Sequence, residues 1–216
     1  MNEEIVSPET DTTFVVDDDA GIRMAIESLL TSLGHNVETF RSAEEFVERR
    51  RDQAGCLVLD VRLPGTSGLQ LQKLLKDQKD RIPIIFITGH ADVSMAVQAI
   101  KAGATDFLVK PFREQDLLDA VQAALRLDRR QREEDFKFAT YSERYRSLTE
   151  REREIMQHVV TGQMNKQIAA SIGLSDVTVK IHRAQVMRKM GVNSLAELVR
   201  VADLVTPIGH ALAAIR

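Results

Sequence analysis

The feature that most constrains this chain is an alternation, from Thr12 to about Leu125, between short apolar runs and longer stretches with helical periodicity. Strands that alternate with helices in this way are typical of a doubly wound, parallel α/β sheet. The runs predict five strands, at Phe14–Val16, Asn36–Phe40, Cys56–Leu59, Ile84–Thr88 and Asp106–Lys110. The helices are predicted at residues 20–33, 43–51, 67–78 and 92–102, and from 113 onward.

The apolar runs also differ in the burial that they imply. The first, third and fourth are apolar on both faces, which predicts central strands of a parallel sheet. The second, Asn36–Phe40, alternates polar and apolar residues. We therefore expect it to be more exposed.

The composition changes after Leu125. Residues 126–146 are highly charged and contain neither glycine nor proline, which predicts a helical linker that extends the fifth helix. From residue 147 onward the strand pattern is absent, and four amphipathic segments follow, at 149–161, 165–172, 176–190 and 194–205. The sequence therefore predicts an α/β domain over residues 1–125, a linker over 126–146 and a small all-helical domain over 147–216.

Charge is distributed unevenly among these three parts. Residues 1–125 carry 13 basic and 21 acidic side chains, residues 126–146 carry 7 and 5, and residues 147–216 carry 9 and 6. The net charges are therefore −8, +2 and +3. Only the C-terminal part suits a polyanionic partner.

The sequence also excludes some functional classes. Its apolar runs are shorter than the roughly 20 residues that a helix needs to cross a bilayer. The acidic start, Met1–Glu4, does not resemble an export signal, so we expect a cytoplasmic protein without a membrane partner. The single cysteine, Cys56, excludes an intramolecular disulfide, and its apolar neighbours favour a small buried hydrophobe over a redox centre.

Polar residues collect where the predicted strands end. Strand one is followed by Asp17–Asp19 and strand three by Asp60, while strands four and five end in Thr88 and Lys110. Because ligands of such sheets bind at the carboxyl ends of the strands, these residues should share one site. Crowded carboxylates stay ionised when a hard cation neutralises them, which indicates a Mg²⁺ site.

A phosphoryl group suits the coordination positions that protein ligands leave open on Mg²⁺. Asp60 stands alone at the tip of a central strand and is the natural acceptor, whereas the adjacent Asp17 and Asp18 are better suited to hold the metal. Lys110 would pair with phosphoryl oxygens, and the Thr88 hydroxyl could donate to another.

The same residues also have plainer interpretations. Asp17–Asp19 could form a helix cap and turn, and Asp60 could begin an ordinary loop before Pro64 and Gly65. Taken together, their placement at the strand ends favours the site. Asp19 is the exception, because it immediately precedes a predicted helix and fits a cap better than a metal ligand.

The helical domain contains a short helix, a turn and a longer cationic helix. Residues 165–172 are followed by Gly173, and Ser175 is placed to cap the helix over 176–190. This order is typical of a helix-turn-helix, whose second helix enters the major groove of DNA.

The helix over 176–190 has two different sides. Positions at spacings of three and four predict a buried face made of Val179, His182, Val186 and Met190, which gives His182 a structural role. The other side combines cations for phosphates with small or apolar groups for base edges. The predicted DNA-contacting residues of the domain are Lys166, Thr178, Lys180, Ile181, Arg183, Ala184 and Arg188.

These motifs resemble two known families. The receiver domain of two-component response regulators is similar to the segments Val15–Asp19, Leu59–Gly65, Thr88–His90 and Lys110–Phe112. The LuxR/NarL/FixJ-type DNA-binding domain is similar to Leu148–Val199. The resemblance implies a CheY-like five-stranded sheet of order 2-1-3-4-5, with phosphotransfer to Asp60 from a histidine kinase.

The resemblance further implies a set of metal ligands. Asp18, Asp60 and the backbone carbonyl of Arg62 would bind Mg²⁺ directly, and Asp17 largely through water. The side chains of Arg62 and His90 would flank the water that attacks the phosphorylated aspartate, or they would be surface polar residues.

A switch pair is implied as well. When the phosphoryl group draws in the Thr88 hydroxyl, the ring of Phe107 would turn inward beneath the fourth helix. The alternative is that Phe107 is simply a core residue of strand five.

The implied function is a transcription factor controlled by phosphorylation. Because the single helical domain carries few cations, we expect a homodimer on a palindromic double-stranded promoter site. The dimer surface would lie near Val97, Lys101 and Phe107. Similarity is strongest to FixJ-type regulators, including those for aromatic-compound catabolism, which supports activation, with RNA polymerase as a further partner.

Two other functions fit parts of the pattern. A haloacid-dehalogenase-like phosphatase would use Asp60 as its nucleophile, but it needs a second acid at the position of Arg62. A ligand-gated transcription factor would share the C-terminal domain but would not need the strand-end residues. We therefore expect no enzyme, beyond the chain's own phosphotransfer and autodephosphorylation.

Overall fold

The structure is a computed structural model that describes residues 11–50, 53–89 and 93–206. Contacts divide the chain into two units, one up to Arg132 and one from Glu133 onward. The predicted helix end at residue 51 and helix start at residue 92 lie outside the described residues, as does His90.

The first unit is built on a five-stranded sheet. All neighbouring strands are parallel and their order is β2-β1-β3-β4-β5, which confirms the predicted fold class. The strands are β1 Thr12–Val16, β2 Asn36–Phe40, β3 Gly55–Asp60, β4 Ile84–Thr88 and β5 Asp106–Val109. The last ends at Val109, one residue earlier than predicted; the Lys110 N–H still donates to the Thr88 carbonyl, and Pro111 after it has no N–H with which to extend the ladder.

Burial separates the central strands from the edge strands as the sequence predicts. Every residue of β1, β3 and β4 is buried. In contrast, β2 alternates between exposed and more buried positions, and β5 is only partly buried.

Helices cover both faces of the sheet. They are α1 Ala20–Ser32, α2 Ala43–Arg49, α3 Gly68–Asp77, α4 Val93–Lys101 and α5 Glu114–Arg146. Side chains alternate along β1, so that Phe14 and Val16 join one apolar core and Val15 joins the other. Cys56 lies in the second core, where burial raises the pKa of its thiol to about 12, in agreement with a buried hydrophobe.

Three aromatic rings anchor α2 to the edge of the sheet. The ring of Phe46 meets that of Phe14 at a centroid distance of 5.8 Å and that of Phe40 at 5.4 Å, both edge to face. All three side chains are almost fully buried. Such pairs contribute beyond the area that they bury.

The first unit extends beyond the predicted boundary at residue 125. Asp128, which is buried on α5, accepts a hydrogen bond from the Gly55 N–H at 3.0 Å. Arg132 donates to Asp128 at 2.9 Å and to the Gln53 carbonyl at 2.8 Å. Residues 126–146 are helical as predicted. However, these hydrogen bonds attach the first part of the predicted linker to the start of β3, so that part belongs to the first unit.

The second unit packs four helices after the end of α5. They are α6 Glu150–Val160, α7 Asn165–Ile172, α8 Asp176–Met190 and α9 Leu195–Val205. The rings of Tyr141 and Tyr145, near the end of α5, pack against the same apolar core, so this part of the predicted linker belongs to the second unit.

The ends of these helices follow their sequence signals. Thr149 and Glu152 form a reciprocal capping box at the start of α6, and the Ser175 hydroxyl accepts from the Thr178 N–H at the start of α8. Gly173 ends α7 with a φ of 68°, a left-handed conformation that glycine adopts at little cost.

Among the described residues, we find no helix that combines the length and the apolar character required to span a bilayer.

The aromatic cluster yields a stability prediction. Phe46→Ala should destabilise the first unit by about 3–5 kcal/mol, because it removes the shared partner of two buried rings and leaves a cavity. Urea unfolding followed by circular dichroism measures this. Val47→Ala, at the neighbouring position of α2 where the side chain is 46% exposed, is the control and should change stability by less than about 0.5 kcal/mol. Equal losses in the two variants would contradict the described packing.

Candidate functional site

The parallel sheet brings the predicted strand-end residues to one edge. Asp17 follows β1, Asp60 is the last residue of β3, Thr88 is the last of β4, and Lys110 follows β5. Because Val16 pairs with Leu59 and Asp60 with Ile87, the three central strands end at nearly the same level. The carboxylates therefore lie side by side.

A single ammonium group joins two of these carboxylates. Lys110 Nζ lies 2.5 Å from Asp17 Oδ2 and 2.8 Å from Asp60 Oδ2. The second oxygen of Asp60 accepts from the Arg62 N–H at 2.9 Å, and the second oxygen of Asp17 accepts from the Asp19 N–H at 2.9 Å. Both side chains are thus held at both oxygens.

Three carboxylates are close enough to share a cation. Oxygen atoms of Asp17, Asp18 and Asp60 all lie within 4.8 Å of one another. Asp17 is fully buried and Asp60 is 7% exposed, whereas Asp18 is exposed at the rim. With one ammonium among three carboxylates, the cluster keeps a formal excess of negative charge. This all-oxygen donor set fits Mg²⁺.

Burial and pairing act in opposite directions on these groups. Burial raises the pKa of Asp17 above its ordinary value, and the hydrogen bond from Lys110 only partly offsets this effect. For Lys110, burial acts to lower the pKa, but the hydrogen bonds to Asp17 and Asp60 outweigh it, and the pKa is raised. Lys110 therefore holds its charge, and the Asp17 carboxylate ionises less readily than an exposed one.

Asp19 has the plainer of its two predicted roles. Its carboxylate accepts from the N–H groups of Gly21 at 2.7 Å and Ile22 at 3.2 Å, and thereby caps α1. The side chain of Arg62 is exposed, and His90 lies outside the described residues.

The predicted switch residues lie on neighbouring strands. Thr88 is fully buried at the end of β4. Phe107 on β5 is half-buried, and its ring lies 6.4 Å from that of Phe86, with which it pairs across the two strands. Phe107 thus contacts the core while part of its ring remains exposed.

Two residues beside the site have contacts that we did not predict. The Glu44 carboxylate accepts from the Thr66 N–H at 3.0 Å, and the hydrogen bonds that Thr66 donates lower the pKa of Glu44 to about 2. A Cβ atom at Gly68 would lie 2.3 Å from the Asp60 carbonyl oxygen, so a side chain does not fit there. Both contacts constrain the backbone of the loop after Asp60. No short sequence motif predicts them, because each depends on how separate parts of the chain pack together.

The second unit presents the predicted DNA-contacting side chains on α8 and α7. Val179, Val186 and Met190 are buried as predicted, and His182 is only half-buried. On the outer side, four predicted residues are exposed: Lys180, Ile181, Ala184 and Arg188. Lys166 on α7 is exposed as well, and Thr178 is half-buried beside the cap, with its hydroxyl 2.8 Å from that of Ser175.

Three cations of α8 already have partners. Arg183 donates to the Asn165 side chain at 3.1 Å, which joins α8 to α7. Lys189 pairs with the buried Glu152 at 2.6 Å, and Arg188 donates to Gln185. Arg183 and Lys189 therefore help to hold the helices together.

Comparison with known proteins assigns both units. Residues 13–122 match the response regulator receiver domain, and residues 146–202 match the bacterial regulatory proteins of the luxR family. This chain belongs to the response regulators with a LuxR-type DNA-binding domain. It is a transcriptional regulator of a two-component system rather than a phosphatase.

Relatives of this response regulator match it over most of their length. It is 46% identical to the response regulator protein TodT of Pseudomonas putida over 199 residues, which cover 92% of this chain and 88% of TodT. The structure of the response regulator StyR has a TM-score of 0.82 and 48% identity, covering 90% of this chain and 98% of StyR. Full-length FixJ from B. japonicum has a TM-score of 0.55 and 38% identity, covering 90% and 96%.

The raised pKa of Asp17 yields a stability prediction for the receiver. In EDTA at neutral pH, Asp17→Asn should raise the urea midpoint, because it removes a buried charge. A group with a raised pKa favours the folded state most when protonated, so the gain should shrink as the pH falls toward 3.8, the ordinary value. Glu27→Gln, an exposed change on α1, is the control. A lower midpoint for Asp17→Asn would contradict the argument.

Proposed function

We propose that Asp60 accepts a phosphoryl group from a histidine kinase and that this modification increases binding of the second unit to promoter DNA. The observation that carries the proposal is the position of Lys110 Nζ, within hydrogen-bond distance of both Asp17 and Asp60. The receiver would work in the cytoplasm, where kinase and promoter are both accessible.

The chemistry assigned to Asp60 is nucleophilic. One carboxylate oxygen would form a bond to phosphorus as the phosphorus–nitrogen bond of a phosphohistidine breaks, leaving an acyl phosphate on Asp60. The Arg62 N–H orients the carboxylate, and Lys110 would move its hydrogen bonds toward the new phosphoryl oxygens. Thr88, at the end of the neighbouring strand, would donate its hydroxyl to another of these oxygens. Hydrolysis of the same bond would return the receiver to its resting state.

The residues that would hold Mg²⁺ are Asp17, Asp18, Asp60 and the Arg62 carbonyl. The closeness of the three carboxylates supports this assignment. Bound Mg²⁺ would neutralise charge on the carboxylates and the phosphoryl oxygens. A cation there would also favour the ionised form of buried Asp17.

We propose that coupling to the second unit is conformational. Charge at Asp60 is screened over a Debye length of about 8 Å, which favours a change of structure over a long-range electrostatic effect on DNA. We propose that movement of Thr88 lets Phe107 turn inward and that the α4–β5 surface then dimerises. Val97 is 46% exposed and Ile100 is 47% exposed on α4, which gives this surface apolar area to bury. A switch from 1:99 to 99:1 needs about 5.5 kcal/mol, and dimerisation would supply part of it.

Binding to DNA would use a palindromic promoter site. Exposed Lys166, Lys180 and Arg188 would contact phosphates or base edges, with Thr178, Ile181, Arg183 and Ala184 as the other contacting residues. We propose that the bound dimer activates transcription, with RNA polymerase as its further partner.

The phosphoryl acceptor is tested by Asp60→Asn. The parent chain, treated with Mg²⁺ and acetyl phosphate or beryllofluoride, should elute earlier in size-exclusion chromatography, whereas Asp60→Asn should not shift. Asp77→Asn, an exposed change on α3, is the control and should behave as the parent. An unchanged elution volume for the treated parent would refute the dimerisation step, and a labelled phosphoryl group on Asp60→Asn would refute the assignment of the acceptor.

The role of Lys180 is tested by the salt dependence of DNA binding. Each phosphate contact makes the slope of log K against log salt concentration more negative by about 0.9, so in a dimer Lys180→Ala should reduce the steepness of that slope by about 1.8. Lys73→Ala on α3 removes the same charge far from α8 in the sequence and should leave the slope unchanged. Equal slopes for all three proteins would remove Lys180 from the phosphate contacts.

A further inference from the structure

The outer side of α8 carries an apolar row that core packing does not explain. Val177 is 66% exposed and Ile181 is 56% exposed, and Ala184 is exposed as well. None of the three belongs to the apolar core of the second unit. Large aliphatic side chains at such exposure on a cationic helix call for a partner of their own.

The row lies on the edge of α8 that is farthest from the core. With about 100° of rotation per residue, positions 177, 181 and 184 fall within roughly 60° of one another. The buried residues Val179 and Val186 lie on the opposite side of the helix. The row therefore occupies the part of α8 that would enter a groove most deeply.

The length of the row matches a short stretch of base pairs. From Val177 to Ala184 the helix rises about 10.5 Å, at about 1.5 Å per residue. Base pairs are stacked about 3.4 Å apart along each strand, so the row spans about three of them.

Charged groups beside the row favour DNA over a protein as its partner. Lys180 and Arg188, both exposed, lie on the same helix, and Lys166 is exposed on α7. These cations suit the phosphates on either side of a major groove. Within that groove, the base edges display hydrogen-bonding groups and one apolar group, the C5-methyl of thymine.

We propose that Val177, Ile181 and Ala184 read thymine methyl groups on about three neighbouring base pairs of each half-site. This inference rests on the proposed DNA-binding function and adds the class of sequence that it recognises. Specificity in this row comes from methyl contacts, while the flanking cations supply affinity that is independent of sequence.

The test uses deoxyuridine, which differs from thymidine only by the missing C5-methyl group of the base. The full-length chain, treated with Mg²⁺ and acetyl phosphate, first selects duplexes from a random pool. The selected duplex is then made with deoxyuridine at each thymine of one half-site in turn. At the positions that face the row, the Kd should rise about fourfold per methyl, which corresponds to about 0.8 kcal/mol.

Substitutions in the row assign each methyl to a side chain. Ile181→Ala should weaken binding to the thymine duplex and abolish the preference for thymine at one position, while the other positions keep theirs. Val177→Ser should do the same at a neighbouring position. Both changes are at exposed sites, and thermal unfolding checks that the fold is retained. Val47→Ala, an exposed aliphatic change in the receiver, is the matched control and should keep every preference.

The outcomes separate the inference from the function on which it rests. If every deoxyuridine duplex binds as the parent duplex does, the thymine assignment is overturned and DNA binding stands. If Ile181→Ala lowers transcription without changing DNA affinity, the row binds a protein and the inference is overturned. If the pool yields no enriched duplex, the inference and the proposed function both fail.

Discussion

The receiver depends on one ammonium group placed between two carboxylates. Lys110 Nζ is within 2.8 Å of oxygens from both Asp17, which follows β1, and Asp60, which ends β3. The parallel register of β1 and β3 forces these carboxylates together, and Lys110 limits their repulsion. Burial nevertheless raises the pKa of Asp17 above its ordinary value. The excess of negative charge at this site favours binding of a cation. In our proposal, Lys110 then moves its hydrogen bonds from the carboxylates to the phosphoryl oxygens.

The same strand ends connect the site to the surface that we propose to respond. Thr88 ends β4 beside Asp60, and Phe107 lies on the next strand, packed against Phe86. A change at the carboxylates therefore has a short path to β5. At the opposite end of β3, the buried Asp128 carboxylate accepts a hydrogen bond from the Gly55 N–H and so attaches α5 to the sheet. The helix that leaves the receiver is thus held by a buried charge-assisted hydrogen bond rather than by apolar contacts alone.

Much of this arrangement could be predicted because it follows from periodic patterns. Runs that are apolar on both faces identified the central strands, and a doubly wound sheet places the residues after them at one edge. That reasoning led to Asp17, Asp60 and Lys110. The Mg²⁺ ligands, the phosphoryl acceptor and the switch pair remain predictions about what these residues do.

Contacts between distant parts of the chain could not be predicted from such patterns. The hydrogen bond from Thr66 to Glu44 joins residues that share no local motif, and so does the pairing of Arg183 with Asn165. Residues 126–132 were predicted to be linker because they are charged, but Asp128 and Arg132 find partners on the receiver. The composition of this segment correctly predicted a helix, but it could not predict which residues of the receiver the helix contacts.

The central claim is that phosphorylation of Asp60 increases the affinity of the second unit for DNA. The most direct test is the Kd of the full-length chain for its selected duplex, measured with Mg²⁺ before and after treatment with acetyl phosphate. The account predicts tighter binding after treatment, an effect that EDTA prevents and that Asp60→Asn lacks. An equal Kd in the treated and untreated parent protein would contradict it.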